Sequence, residues 1–131
     1  MEFLIDSDVI IWALRGQRET LELLKTLQSI GIPACSPVSI IEVKIGAKGR
    51  EEKETKTFLD SLEVCPVDRQ VADKASEYVI DYRKKGVTLG IPDAIIAATC
   101  IIHGLTLVTY NAKHYPVAEI KFYPAAFSRP S

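Results

Sequence analysis

A chain of 131 residues with 47% hydrophobic side chains has enough apolar material for one buried core, and its formal net charge of −1 excludes an all-over basic coat for nucleic acid. No apolar run reaches the roughly 20 residues of a membrane span, and Asp6 and Asp8 interrupt an N-terminal run that lacks the basic start of a secretory leader. The 3 cysteines (Cys35, Cys65, Cys100) form no Cys-x-x-Cys pair and there are only 2 histidines, so buried thiols in a reducing cytoplasm are expected rather than a zinc or disulfide framework.

Phe3-Leu4-Ile5 reads as a short buried strand stopped by Asp6. Ser7 or Asp8 can cap a helix over 9–15 that Gly16 ends. A second helix is predicted over 18–30 from Leu21, Leu24 and Leu27, and residues 32–35 form a weak second strand. Ser36-Pro37 opens a helix carrying Ile40, Ile41, Val43 and Ile45. The charged stretch 46–57 merges into a helix with Phe58, Leu59 and Leu62, and a third strand follows at 64–67. Asp68 is a natural cap for a helix over 69–85, whose Arg83-Lys84-Lys85-Gly86 end suits a helix C-terminus. Ile91-Pro92-Asp93 starts an apolar helix that runs to His103 and stops at Gly104. Residues 105–109 are the clearest strand, and 120–123 close the domain. Short apolar strands alternating with helices predict one α/β domain over 1–131, with a mainly parallel sheet of about five strands flanked by helices. Ligands of such sheets bind beyond the carboxyl ends of the strands.

Four polar residues fall at such ends or in the helices beside them: Asp6, Glu42, Asp93 and Asn111. Each has a local explanation. Asp6 or Asp8 caps a helix, Ser39-Ile40-Ile41-Glu42 has the form of a capping box, Asp93 answers a helix dipole, and Asn111 suits a turn. Taken together they point further. Glu42 lies among Ile40, Ile41, Val43 and Ile45, and Asp93 precedes Ala94-Ile95-Ile96-Ala97-Ala98, so both sit near apolar helix faces. Carboxylates gathered at a core edge repel one another, and a divalent cation relieves the repulsion; oxygen-only donors favour Mg²⁺ or Mn²⁺ over zinc.

At this point the residues resemble a family. Leu4-Ile5-Asp6-Ser7-Asp8-Val9-Ile10, Ser39-Ile40-Ile41-Glu42, Pro92-Asp93-Ala94-Ile95-Ile96-Ala97-Ala98-Thr99, and Thr106-Leu107-Val108-Thr109-Tyr110-Asn111 with His114-Tyr115 occur in order. They are similar to the four motifs of the PIN-domain ribonucleases, in particular the VapC-type toxins of toxin–antitoxin pairs. The resemblance implies a PIN-like fold and Mg²⁺-dependent cleavage of RNA in the cytoplasm. Asp6 and Asp93 would be metal ligands, and Glu42 a third ligand or the base that orients the attacking water. Where the family often carries a fourth acid, this chain has Asn111 and His114. Asn111 is the candidate for an outer role; an amide adds no negative charge, which weakens the case for a second metal. Lys44, Lys48, Arg83, Lys84 and Lys85 become candidates for the RNA backbone. A VapB-like antitoxin and a homodimer are the implied partners, with Trp12, Leu23 and Leu27 as contacts. Two other readings stand beside it. Asp6-Ser7-Asp8 also resembles the opening of haloacid-dehalogenase phosphatases, and the missing fourth acid fits a non-catalytic PIN-fold binding module.

Overall fold

The computed structural model describes residues 2–47 and 51–124. β1 (Phe3–Ile5), β2 (Ala34–Cys35), β3 (Glu63–Val64) and β4 (Thr106–Val108) form a four-stranded sheet in the order β3-β2-β1-β4, paired in parallel throughout. β1 lies between β2 and β4, in register Leu4 to Ala34 and Ile5 to Val108. The predicted closing strand at 120–123 is reduced to one parallel bridge between Leu107 and Phe122. There Leu107 N donates to the Lys121 carbonyl (2.8 Å) and Tyr123 N to the Leu107 carbonyl (2.9 Å), so the segment covers the outer edge of β4.

Alternation along the strands builds two cores, because successive side chains point to opposite faces. Leu4, Ala34 and Leu107 face α5 (Arg69–Lys84) and α6 (Ile91–His103). Phe3, Ile5, Cys35 and Val108 face α1 (Ser7–Leu14), α2 (Arg18–Gln28), α3 (Pro37–Gly46) and α4 (Glu52–Asp60). Both faces are covered at the centre of the sheet, which explains why β1 and β2 are apolar at every position, whereas β3, at the edge and at 63–64 rather than the expected 64–67, is exposed. Cys35, Cys65 and Cys100 are buried thiols, as expected. Burial, and then the neighbouring Cys65, pushes the Cys35 thiol up to about 11.

Asp68 caps α5 as predicted, its side chain accepting from Val71 N. Gly104 ends α6 at φ 65°, a left-handed conformation that costs a side chain with a Cβ about 1–2 kcal/mol. α2 departs from its predicted face: Leu24 and Leu27 are buried together with Thr20, while Leu21 is 46% exposed. Leu27 is therefore core and not a contact surface, and Leu23 is half-buried. Trp12 is half-buried too, with the Arg15 guanidinium 5.1 Å from its ring centroid. α3 is the larger departure. Only Ser39 and Val43 are buried on it, and Ile41 and Ile45 are 58% and 79% exposed. Among the described residues no helix is long and apolar enough to cross a membrane.

Candidate active site

β1 ends where its last carbonyls meet the N-terminus of α1, and Asp6 occupies that junction. Its backbone N donates to the Val108 carbonyl (3.0 Å), holding it beside the end of β4. Asp6, not Ser7 or Asp8, is the N-cap of α1: its Oδ1 accepts from Ser7 N at 2.8 Å. The Asp6 side chain is 7% exposed, and burying a carboxylate requires compensating donors. Thr109 Oγ1 (2.9 Å) and Tyr115 Oη (2.7 Å) both donate to Oδ2. An ionised carboxylate has about four lone-pair sites. Two donors on Oδ2 and one on Oδ1 leave the open site on Oδ1.

Asp8 lies in the first turn of α1 and holds the loop after β4. Its Oδ1 accepts from Val9 N (2.8 Å), and its Oδ2 accepts from Tyr110 N (3.0 Å) and Asn111 Nδ2 (2.7 Å). The Asn111 backbone N donates to Thr109 Oγ1 at 3.0 Å. Asn111 therefore stands one layer behind Asp6, coupled to it through Thr109, with its amide committed to Asp8.

The capping-box reading of Ser39 and Glu42 does not hold. Ser36 caps α3, its Oγ accepting from Val38 N (3.1 Å), and Pro37 fills the first helical position, where a missing N–H costs nothing. That puts Ser39 inside the helix, buried, with an Oγ that has no hydrogen-bond partner among the described residues. Glu42 reaches across to α1 instead and accepts from Ser7 Oγ at 3.1 Å. Partial desolvation pushes its carboxyl up, and the Asp6 and Asp93 carboxylates push it further; the Ser7 hydrogen bond opposes them.

Asp93 arrives from the first turn of α6, half-buried. Burial raises its carboxyl, Asp6 raises it again, and His114 and the Tyr115 hydroxyl pull it back. Asp6, Glu42 and Asp93 thus converge from the end of β1, the middle of α3 and the start of α6, close enough for each to feel another. Among the described residues no three acidic, histidine or cysteine side chains are drawn into a closed ligand set.

The sequence reading missed Ser7, Thr109 and Tyr115 as working members of this site. Their signal was present only as membership in two of the quoted motifs, since no local rule pairs a tyrosine with a carboxylate 109 residues away. Exposed His114 acts on Asp93 electrostatically. Of the basic candidates, Lys44 is exposed two positions beyond Glu42 on α3. Arg83, Lys84 and Lys85 are exposed at the end of α5, one loop before the helix of Asp93, with Lys85 Nζ 5.1 Å from the Tyr82 ring centroid. Lys48 lies outside the described residues.

The PIN domain family model matches residues 3–120. The chain belongs to the PIN domain family. Ribonuclease VapC10 of Mycobacterium tuberculosis is 34% identical over 116 residues, 88% of this chain and 87% of that protein. A solved toxin–antitoxin complex from Klebsiella pneumoniae is similar at a TM-score of 0.79 and 26% identity, covering 98% of this chain and 100% of that one. VapBC2 of Rickettsia felis, solved bound to a DNA fragment from its promoter, shares the fold at a TM-score of 0.84 and 21% identity, over 94% of this chain and 98% of that one. Membership in the PIN domain family sets aside the haloacid-dehalogenase reading of Asp6-Ser7-Asp8.

Proposed function

We propose that this PIN domain is an endoribonuclease that hydrolyses RNA phosphodiester bonds in the cytoplasm, as the toxin of a type II toxin–antitoxin pair. The observation that carries the chemistry is that Asp6, Glu42 and Asp93, from the end of β1 and from α3 and α6, lie near enough for their charges to act on one another. The relative named a ribonuclease and the solved toxin–antitoxin complex support the activity and a VapB-like antitoxin as partner. A homodimer is part of the same reading.

The donor set fits a hard divalent cation: three carboxylates, no thiol or imidazole among them, one open lone pair on Asp6 Oδ1, and raised carboxyls on Glu42 and Asp93 that added positive charge would relieve. Asp6, Asp93 and Glu42 would hold Mg²⁺, with Mn²⁺ as the alternative. Bound there, the ion supplies charge neutralisation at the phosphate and lowers the pKa of the attacking water. Asp6 is the fixed point of the site, held by Thr109, Tyr115 and the start of α1. Glu42, oriented by Ser7, serves either as the third ligand or as the base that orients the attacking water. Asn111 holds the loop that carries Thr109. Lys44, Lys48, Arg83, Lys84 and Lys85 bind the RNA backbone.

The test is cleavage of total cellular RNA by the purified chain with Mg²⁺ or Mn²⁺, with EDTA, and with the Asp6→Asn and Asp93→Asn variants. Discrete products that disappear with EDTA and with both variants are expected. Cleavage that survives both substitutions removes this site, and a folded chain that binds RNA without cutting it would favour the binding-module reading.

A further inference from the structure

Tyr115 enters the proposed chemistry through Asp6 alone, and the way it holds that carboxylate has a consequence for the metal. The tyrosine is 4% exposed, its ring belongs to the core that α5 and α6 build against the sheet, and its hydroxyl leaves that core to donate to Asp6 Oδ2 at 2.7 Å. The backbone around it is fixed twice. A 3-10 turn over Ala112–His114 delivers the residue, with Tyr115 N donating to the Ala112 carbonyl (3.0 Å), and Tyr82 Oη grips the next carbonyl, Pro116 O, at 2.8 Å. On the other side of Oδ2 stands Thr109 Oγ1, which accepts from Asn111 N and so has its hydrogen directed at Asp6.

A core tyrosine has two ordinary ways to satisfy its hydroxyl, a backbone carbonyl or solvent. Tyr115 uses neither. It spends the bond on the most buried carboxylate of the site, on the oxygen that Thr109 already occupies. With both lone pairs of Oδ2 engaged, the carboxylate plane cannot rotate without breaking two hydrogen bonds to a charged acceptor, the stronger kind. Rotation of a free aspartate would otherwise present either oxygen, or both, to the crevice.

We infer that Tyr115 is a positioning residue: together with Thr109 it clamps Asp6 Oδ2, so that Asp6 offers a cation one oxygen, Oδ1, in one orientation. This rests on the reading of Asp6 as a metal ligand and adds how that ligand is aimed. Donors behind a metal ligand typically set affinity by about 10–100-fold.

The experiment is titration calorimetry of Mn²⁺ into the full chain, wild type and Tyr115→Phe, with thermal melts and RNA cleavage kinetics on the same preparations. Phe keeps the ring in the core and removes only the hydroxyl. Expected are Mn²⁺ binding weaker by about tenfold, a lower kcat with KM for RNA unchanged, and a folded protein. Tyr82→Phe deletes a hydroxyl that holds only the backbone beside Tyr115, and it should weaken Mn²⁺ less than Tyr115→Phe does. Thr109→Val removes the other donor to Oδ2 and gives a second reading should Tyr115→Phe fail to fold; it too should weaken Mn²⁺, whereas Thr109→Ser should restore wild-type binding. Unchanged or tighter Mn²⁺ binding in folded Tyr115→Phe overturns the clamp, as does a wild-type chain that binds no Mn²⁺. RNA cleavage without the Mn²⁺ effect would leave the nuclease standing and remove the clamp. The Mn²⁺ effect in a chain that cuts no RNA would leave the clamp and remove the nuclease.

Discussion

Asp6 and Glu42 face the same crevice from supports of opposite kinds. Asp6 sits at the end of a central strand, 7% exposed, accepting from Ser7 N, Thr109 Oγ1 and Tyr115 Oη, with the Asp8–Asn111 clasp behind it. Glu42 rides a helix on which only Ser39 and Val43 are buried, open to solvent, and it accepts one hydrogen bond, from Ser7 Oγ. The floor of the site is preset by packing from two strand ends and both cores. The wall is anchored through Val43 and Ile40, and its outward residues Ile41 and Ile45 are exposed. A site built this way has one carboxylate whose geometry precedes binding and another that settles on it. Preset geometry is where binding and catalysis gain most from a rigid scaffold.

If that division is right, Asp6→Asn is the most damaging change. It keeps the shape and removes the charge at the fixed point, and cleavage should fall on the order of a thousandfold, the equivalent of several kcal/mol of lost transition-state stabilisation. Glu42→Gln, on the adjustable wall, should cost about a hundredfold in kcat, the usual worth of one positioned proton acceptor. Equal losses in side-by-side kinetics would erase the distinction between floor and wall.

Asn111→Ala tests the layer behind the floor. It removes the 2.7 Å hydrogen bond to Asp8 and loosens the loop that presents Thr109, so about 1–2 kcal/mol of stability should go, read from denaturant melts. Stability equal to wild type would mean that Asp8 holds the loop without the Asn111 amide.

The carboxylates also leave a mark on pH dependence. Glu42 and Asp93 have folded values above their unfolded ones, so between the two the folded chain keeps protons that the unfolded chain has lost. Stability contributed by these groups therefore falls as pH rises through that window and returns as pH is lowered. In metal-free buffer, wild type should lose melting temperature relative to a Glu42→Gln, Asp93→Asn double variant as pH climbs from the ordinary carboxylate range toward neutrality. Parallel curves would show that the carboxylates do not strain the empty crevice.

The smallest effect belongs to the outside of the wall. Ile45→Ser exchanges a side chain that is 79% exposed and should alter stability by no more than about 0.5 kcal/mol. A larger loss would mean that α3 is packed more firmly than its burial indicates.

Much of this architecture could be read locally. The helices Arg69–Lys84 and Ile91–His103 fall within a residue of their predicted spans, because Asp68, Pro92 and Gly104 carry their start and stop signals in the chain itself. β1 and the parallel sheet followed from unbroken apolar triplets alternating with helices. Where two local rules competed, the sequence was ambiguous. Ser36 and Ser39 both have the form of a helix cap, and Pro37 decides for Ser36, which frees Glu42 for the crevice. The segment at 120–123 has strand composition, but whether it pairs fully or meets β4 at one bridge depends on the path of the preceding turn.

The sequence by itself determined which elements form and which residue types stand at their ends, since caps, breakers and hydrophobic period act within a few residues. Tertiary structure alone decided what those ends meet. Asp6 joins Thr109 and Tyr115 across 103 and 109 residues, and Ser7 joins Glu42 across 35. Partners so distant are set by parallel strand register and by helices packed on both faces, and no spacing rule along the chain encodes them.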